Sequence, residues 1–136
     1  MTAPRSGALA LAHLVGDFVL QTHHQATEKT SRWVPALLHA ATYTAAHLPV
    51  TRDPRALATI GLTHAVIDRY RLAKYLVWAK NQAAPAAHRV PLADLRQTGT
   101  GYPASTPAWL ATWLLILTDN TIHLAINAAA VRRWAR

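Results

Sequence analysis

The chain has 136 residues, of which 51% are hydrophobic and 15% charged, with a formal net charge of +8. That length suits one domain, and the lack of cysteine excludes disulfides, thiolate metal sites and cysteine nucleophiles. Any metal would need His, Asp, Glu or Asn side chains, or water, as ligands.

No stretch alternates as a half-buried strand would, and four helical segments are predicted. The first spans about 6–22, with Ser6 as N-cap and LALAHLVGDFVLQ as its apolar body. The second covers about 34–49; Pro35 fits its first turn and Pro49 stops it. The third runs from about 55 to 80 and ends in the basic stretch RYRLAKYLVWAK. Residues 81–106, rich in Ala, Pro and Gly, form a long irregular loop whose charges, His88, Arg89, Asp94 and Arg96, read as solvated. The fourth helix, about 107–134, follows Ser105-Thr106-Pro107, a cap-and-proline start.

From Trp109 to Val131 the fourth segment holds one charged residue, Asp119, and Trp109, Trp113 and Trp134 suit interfacial positions. It exceeds the roughly 20 residues that cross a bilayer. The third would cross with its basic end along the interface, and the first two would cross only a thinned region. Basic residues gather at helix ends and in loops (Lys29 and Arg32, Arg52 and Arg55, Arg132 and Arg133) rather than along one helix face. That argues for membrane lipid as partner and against nucleic acid. The expected architecture is therefore all-α: an up-down-up-down four-helix bundle, membrane-embedded and multi-pass, forming a single domain over 1–136. The location expected is a bacterial or host cell inner membrane, and a homo-oligomer is compatible with it.

Three of the six acidic residues lie in apolar helical sequence, each four residues from a histidine: His13/Asp17, His64/Asp68 and Asp119/His123. A helix brings i and i+4 to one face, and a carboxylate in apolar surroundings is costly unless paired. In an up-down-up-down bundle the first and third helices run parallel and the fourth runs opposite. The first two pairs read His-then-Asp and the last reads Asp-then-His. Asp17, Asp68 and Asp119 can then share one level, with His13, His64 and His123 on another about 6 Å along the axis. The second helix adds His39, Tyr43 and His47 at i, i+4 and i+8. Gln21 and Asn127 extend the first and fourth stripes.

Carboxylates crowded on one level need raised pKa values, protonated histidines or a cation among them. A divalent ion (zinc, manganese or iron) is the most economical answer. His13, Asp17, His39, His64, Asp68, Asp119 and His123 are its candidate ligands. A proton or ion relay and a structural polar network are the competing readings. His23 and His24, in a polar connection, read as surface residues.

The stretches HLVGDFVLQ, ALLHAATYTAAH, HAVIDRYRLAK and TDNTIH resemble the DUF3307 family of small predicted membrane proteins. Its pattern is H-x-x-G-D-F-x-x-Q, a second-helix His, H-x-x-x-D-x-x-K and a late D-Q-x-x-H. The resemblance points to His13, Gly16, Asp17, Gln21, His39, His64, Asp68, Asp119 and His123. Asn120 stands where the family has Gln, and Arg71 lies nearer than Lys74 to the place of its Lys. The resemblance implies a membrane location and a shared polar site, and names no reaction.

The leading functional expectation is a metal-dependent hydrolase of a lipid or phosphate-containing substrate. Asp17, Asp68 and Asp119 are its catalytic candidates, and Arg69, Arg71, Lys74 and Gln21 its substrate contacts. A proton- or cation-conducting transport protein is one alternative. A non-catalytic membrane interaction protein, with the polar residues as interhelical glue, is the other.

Overall fold

A computed structural model describes residues 3–134, with side-chain surroundings from residue 5 onward. The described residues are helical, turn or irregular, with no strand among them. Six α-helices follow in order: α1 (Ala3–Leu14), α2 (His23–Glu28), α3 (Trp33–Ala46), α4 (Pro54–Tyr70), α5 (Ala73–Asn81) and α6 (Ala108–Trp134). A π-helical turn (Val15–Val19) continues α1, and a short 3-10 turn lies at Ala86–His88.

Local chemistry sets most of these boundaries. Thr22 and Gln25 form a reciprocal capping box, the Thr22 hydroxyl accepting from the Gln25 amide and the Gln25 side chain accepting from the Thr22 amide. That cap starts α2 inside what the apolar pattern suggested was a plain connection. The Asp53 carboxylate caps α4, accepting from the amides of Arg55 and Ala56, with Pro54 in the first turn. The Arg55 side chain and these amides hold the Asp53 carboxyl below the usual aspartate range. The expected third helix is broken between Tyr70 and Ala73, where Arg71 takes a left-handed φ of 53°. No propensity signal marks that break, because an arginine pays a steric penalty there.

The chain forms two compact units: residues up to Tyr70 together with His123 onward, and Arg71–Ile122. In the first, Leu9, Tyr43, Ile60, Ala130 and Val131 form a small apolar cluster joining α1, α3, α4 and the C-terminal part of α6. Two glycines let the helices approach α3. A Cβ on Gly16 would stand 2.8 Å from Tyr43 Cδ2, and one on Gly61 would collide with Thr44 Oγ1. Gly16 lies within the π turn, next to Asp17.

In the second unit the irregular segment after α5 is anchored by backbone carbonyls. Trp78 donates to the Val90 carbonyl at 2.8 Å and Arg71 to the Gly99 carbonyl at 2.5 Å. Lys74 reaches the carbonyls of Leu95 and Thr98, each at 3.5 Å. Val90 and Leu95 are buried, whereas His88, Arg89, Asp94 and Arg96 face solvent as expected.

Candidate metal centre

The polar residues of the first unit lie inside it. His13, His39, His47 and His64 are fully buried, and Asn127 and His123 nearly so. Many large apolar side chains of the same helices face outward, among them Leu11, Leu14, Phe18, Leu37, Leu38 and Leu62.

Four atoms converge where the π turn, α3 and α4 meet: His39 Nε2, His64 Nε2, Asp17 Oδ1 and Asp68 Oδ2. The two imidazole nitrogens are 2.9 Å apart. Asp17 Oδ1 is 3.1 Å from His39 Nε2 and 3.9 Å from His64 Nε2. Asp68 Oδ2 is 3.4 Å from His39 Nε2 and 3.3 Å from His64 Nε2. Ligands bonded at about 2.0–2.1 Å in a tetrahedron stand about 3.3–3.4 Å apart, and these separations scatter around that value. Asp68 Oδ2 is buried and receives no hydrogen bond among the described residues. Its charge is met by the Lys29 ammonium, 2.6 Å away in an ion pair. Two imidazoles and two carboxylates suit a divalent ion, and this buried group can hold one.

The surrounding hydrogen bonds agree with that use. If His64 turns its Nε2 lone pair inward, its proton sits on Nδ1, which faces His123 Nδ1 at 3.3 Å. His123 then carries its proton on Nε2 and donates to Asp68 Oδ1 at 3.3 Å. Outer hydrogen bonds to ligating imidazoles and carboxylates are the usual support of a metal site. His39 Nδ1 finds no hydrogen-bond partner among the described residues.

A second chain leads away from Asp17. The His47 Nδ1–H donates to the Tyr43 carbonyl at 2.9 Å, leaving Nε2 to accept from the Asn127 amide at 3.1 Å. Asn127 also donates to the Tyr43 hydroxyl at 2.6 Å, so that hydroxyl donates onward to His13 Nδ1, also at 2.6 Å. His13 is then protonated at Nε2, which faces Asp17 Oδ2 at 4.0 Å. The Tyr43 ring stacks on His64 with centroids 3.7 Å apart.

Of the predicted ligands, Asp17, His39, His64 and Asp68 meet at one point. His123 and His13 stand behind the two carboxylates. Asp119 is half-buried on α6, one turn before His123, on the stretch that counts with the second unit. The predicted substrate contacts lie elsewhere. Arg69 donates to the Thr30 carbonyl at 2.7 Å and stacks over Trp33. Arg71 and Lys74 tie down the loop of the second unit, and burial together with the nearby Arg71 and Arg96 cations holds the Lys74 ammonium below the usual lysine range. Gln21 is half-buried, its Oε1 without a hydrogen bond among the described residues. His23 and His24 are exposed. Sequence reasoning missed Lys29 as a member of the cluster, because nothing local separates it from the other basic residues at helix ends.

Residues 7–90 match the family model DUF3307, described as a protein of unknown function. The chain belongs to this family. The matched region contains Asp17, Lys29, His39, His64 and Asp68, and His123 lies beyond it. No curated protein and no solved structure matches the chain. One described helix, Ala108–Trp134, is long and apolar enough to cross a membrane.

Proposed function

We propose that this DUF3307 member is a membrane-bound, metal-dependent hydrolase acting on a lipid or phosphate-containing substrate. The observation that carries the reading is the convergence of two imidazole nitrogens and two carboxylate oxygens at 2.9–3.9 Å inside an apolar helical unit. His39, His64, Asp17 and Asp68 would hold a divalent ion, which would supply Lewis-acid activation of water. Asp17 would bind through Oδ1, with Oδ2 turned toward His13 Nε2 at 4.0 Å. His123 fixes Asp68 through its other oxygen. In the Tyr43–Asn127–His47 chain the middle member is an amide that cannot pass a proton on, which favours a role in fixing His13 over a conducting path.

The membrane reading rests on α6 and on the first unit, which buries histidines and aspartates beside its small apolar cluster while large apolar side chains face outward. A water-soluble bundle reverses that distribution. We read α6 as crossing the bilayer, and α1, α3 and α4 as immersed in it with lipid against Leu11, Phe18, Leu37 and Leu62. The 17 residues of α4 reach about 26 Å, against about 30 Å of hydrocarbon, so they require local thinning.

Elemental analysis of detergent-purified protein tests the centre. The expected result is about one divalent ion per chain, lost in Asp68→Asn. Wild-type protein that stays metal-free after loading at neutral pH overturns the reading. Hydrolysis of a chromogenic phosphodiester that appears on loading and disappears on chelation tests the reaction.

A further inference from the structure

Lys29 follows α2 directly and turns its ammonium into the cluster. Its Nζ lies 2.6 Å from Asp68 Oδ2 and 3.8 Å from Asp17 Oδ1, the same oxygens that face His39 and His64. Its side chain is 16% exposed, whereas those of Asp17 and Asp68 are 7% and 4% exposed and those of His39 and His64 are 0%. Lys29 is therefore the most exposed side chain of the group. Arg69, the cation next to Asp68 in sequence, is committed to the Thr30 carbonyl.

Two carboxylates and a divalent ion sum to zero charge. The Lys29 ammonium is then a surplus cation against the ligand set, in surroundings where an unbalanced charge is costly. A neutral ester leaves it uncompensated. One negative oxygen group beside Lys29 answers it, and a lysine ammonium binds phosphate as a point charge.

We propose that the metal-loaded centre takes a phosphate-type oxyanion and that Lys29 holds this anion. The inference rests on the metal-centre reading above and narrows its substrate to a group bearing phosphate oxygens. A lipid headgroup and a soluble phosphate compound share that chemistry.

The test uses the full chain in a phosphate-free maltoside detergent. Mn²⁺ binding is measured first by calorimetry, for wild type, Lys29→Met and Lys29→Arg. Inorganic phosphate and dihexanoyl phosphatidylglycerol are then titrated separately onto the loaded proteins, with binding read from paramagnetic broadening of their phosphorus resonances. The expected result is retained Mn²⁺ stoichiometry in all three proteins and a phosphate-group affinity at least about tenfold weaker in Lys29→Met, with Lys29→Arg close to wild type. Tighter binding of the lipid identifies a headgroup as the source of the anion, and tighter binding of inorganic phosphate identifies a soluble compound; either supports the anion site. Unchanged affinity of both probes in Lys29→Met with metal retained overturns the Lys29 assignment and leaves the metal centre standing. Equal loss in Lys29→Met and Lys29→Arg also overturns it. Failure of wild type to bind Mn²⁺ overturns the metal-centre reading, and this inference with it. If Lys29→Met does not fold, Lys29→Gln takes its place under the same criteria.

Discussion

The Nε2 atoms of His39 and His64 face each other at 2.9 Å, with a carboxylate oxygen of Asp17 or Asp68 within 3.4 Å of each. Two neutral imidazoles can share only one proton along that line, so at least one lone pair points at the other ring or at a cation. A divalent ion would resolve the conflict by using both lone pairs, with the proton of His64 on the side of His123.

His123 is therefore expected to tune the centre without being a ligand. His123→Phe removes the donor to Asp68 Oδ1 and the acceptor for His64. Metal affinity should fall about 10–100-fold, while His64→Ala should abolish stoichiometric binding. Calorimetry with Zn²⁺ or Mn²⁺ measures both. Because protons compete for imidazole and carboxylate ligands, affinity in every variant that binds should fall as pH is lowered.

Gly16 sets the approach of the π turn to α3. In Gly16→Ala the new methyl meets Tyr43 Cδ2 at 2.8 Å and its Cα at 3.1 Å, and the latter cannot swing aside. The expected cost is about 1–3 kcal/mol, read as a lower melting temperature in detergent. Asp17 follows Gly16 directly, so metal affinity should weaken in the same variant.

Asn127 separates a structural role from a role at the centre. Asn127→Leu removes the donors to the Tyr43 hydroxyl and to His47 Nε2. A loss of stability of about 1–3 kcal/mol is expected, with metal stoichiometry unchanged. Loss of the metal at unchanged stability would place Asn127 in the centre instead.

Leu117 is exposed on α6, inside the apolar stretch. Leu117→Asp puts a charge where the bilayer reading puts lipid, at about 2.5–3.5 kcal/mol for a central position. Wild-type protein should stay in the membrane fraction through an alkaline carbonate wash, and the variant should be partly released. Extraction of wild type by carbonate counts against the membrane reading.

The helical class, the fourth helix and the polar stripes were legible in the sequence, because each follows from periodicity or a cap. His13/Asp17 and His64/Asp68 stand out as carboxylates in apolar helices, and the i, i+4 rule puts each pair on one face. The His39-Tyr43-His47 stripe is visible for the same reason. The family was legible too, since its motif residues lie on these stripes. Tertiary structure decided what periodicity does not encode. The break at Arg71 depends on a left-handed backbone, and the α2 cap lies between two polar side chains in a short connection. Which of seven candidates converge was set by helix approach at Gly16 and Gly61, where the missing Cβ matters. Lys29 reaches the centre only because α2 folds back to it. In sequence it is one more basic residue after a short helix, and only the fold gives it two carboxylates to neutralise.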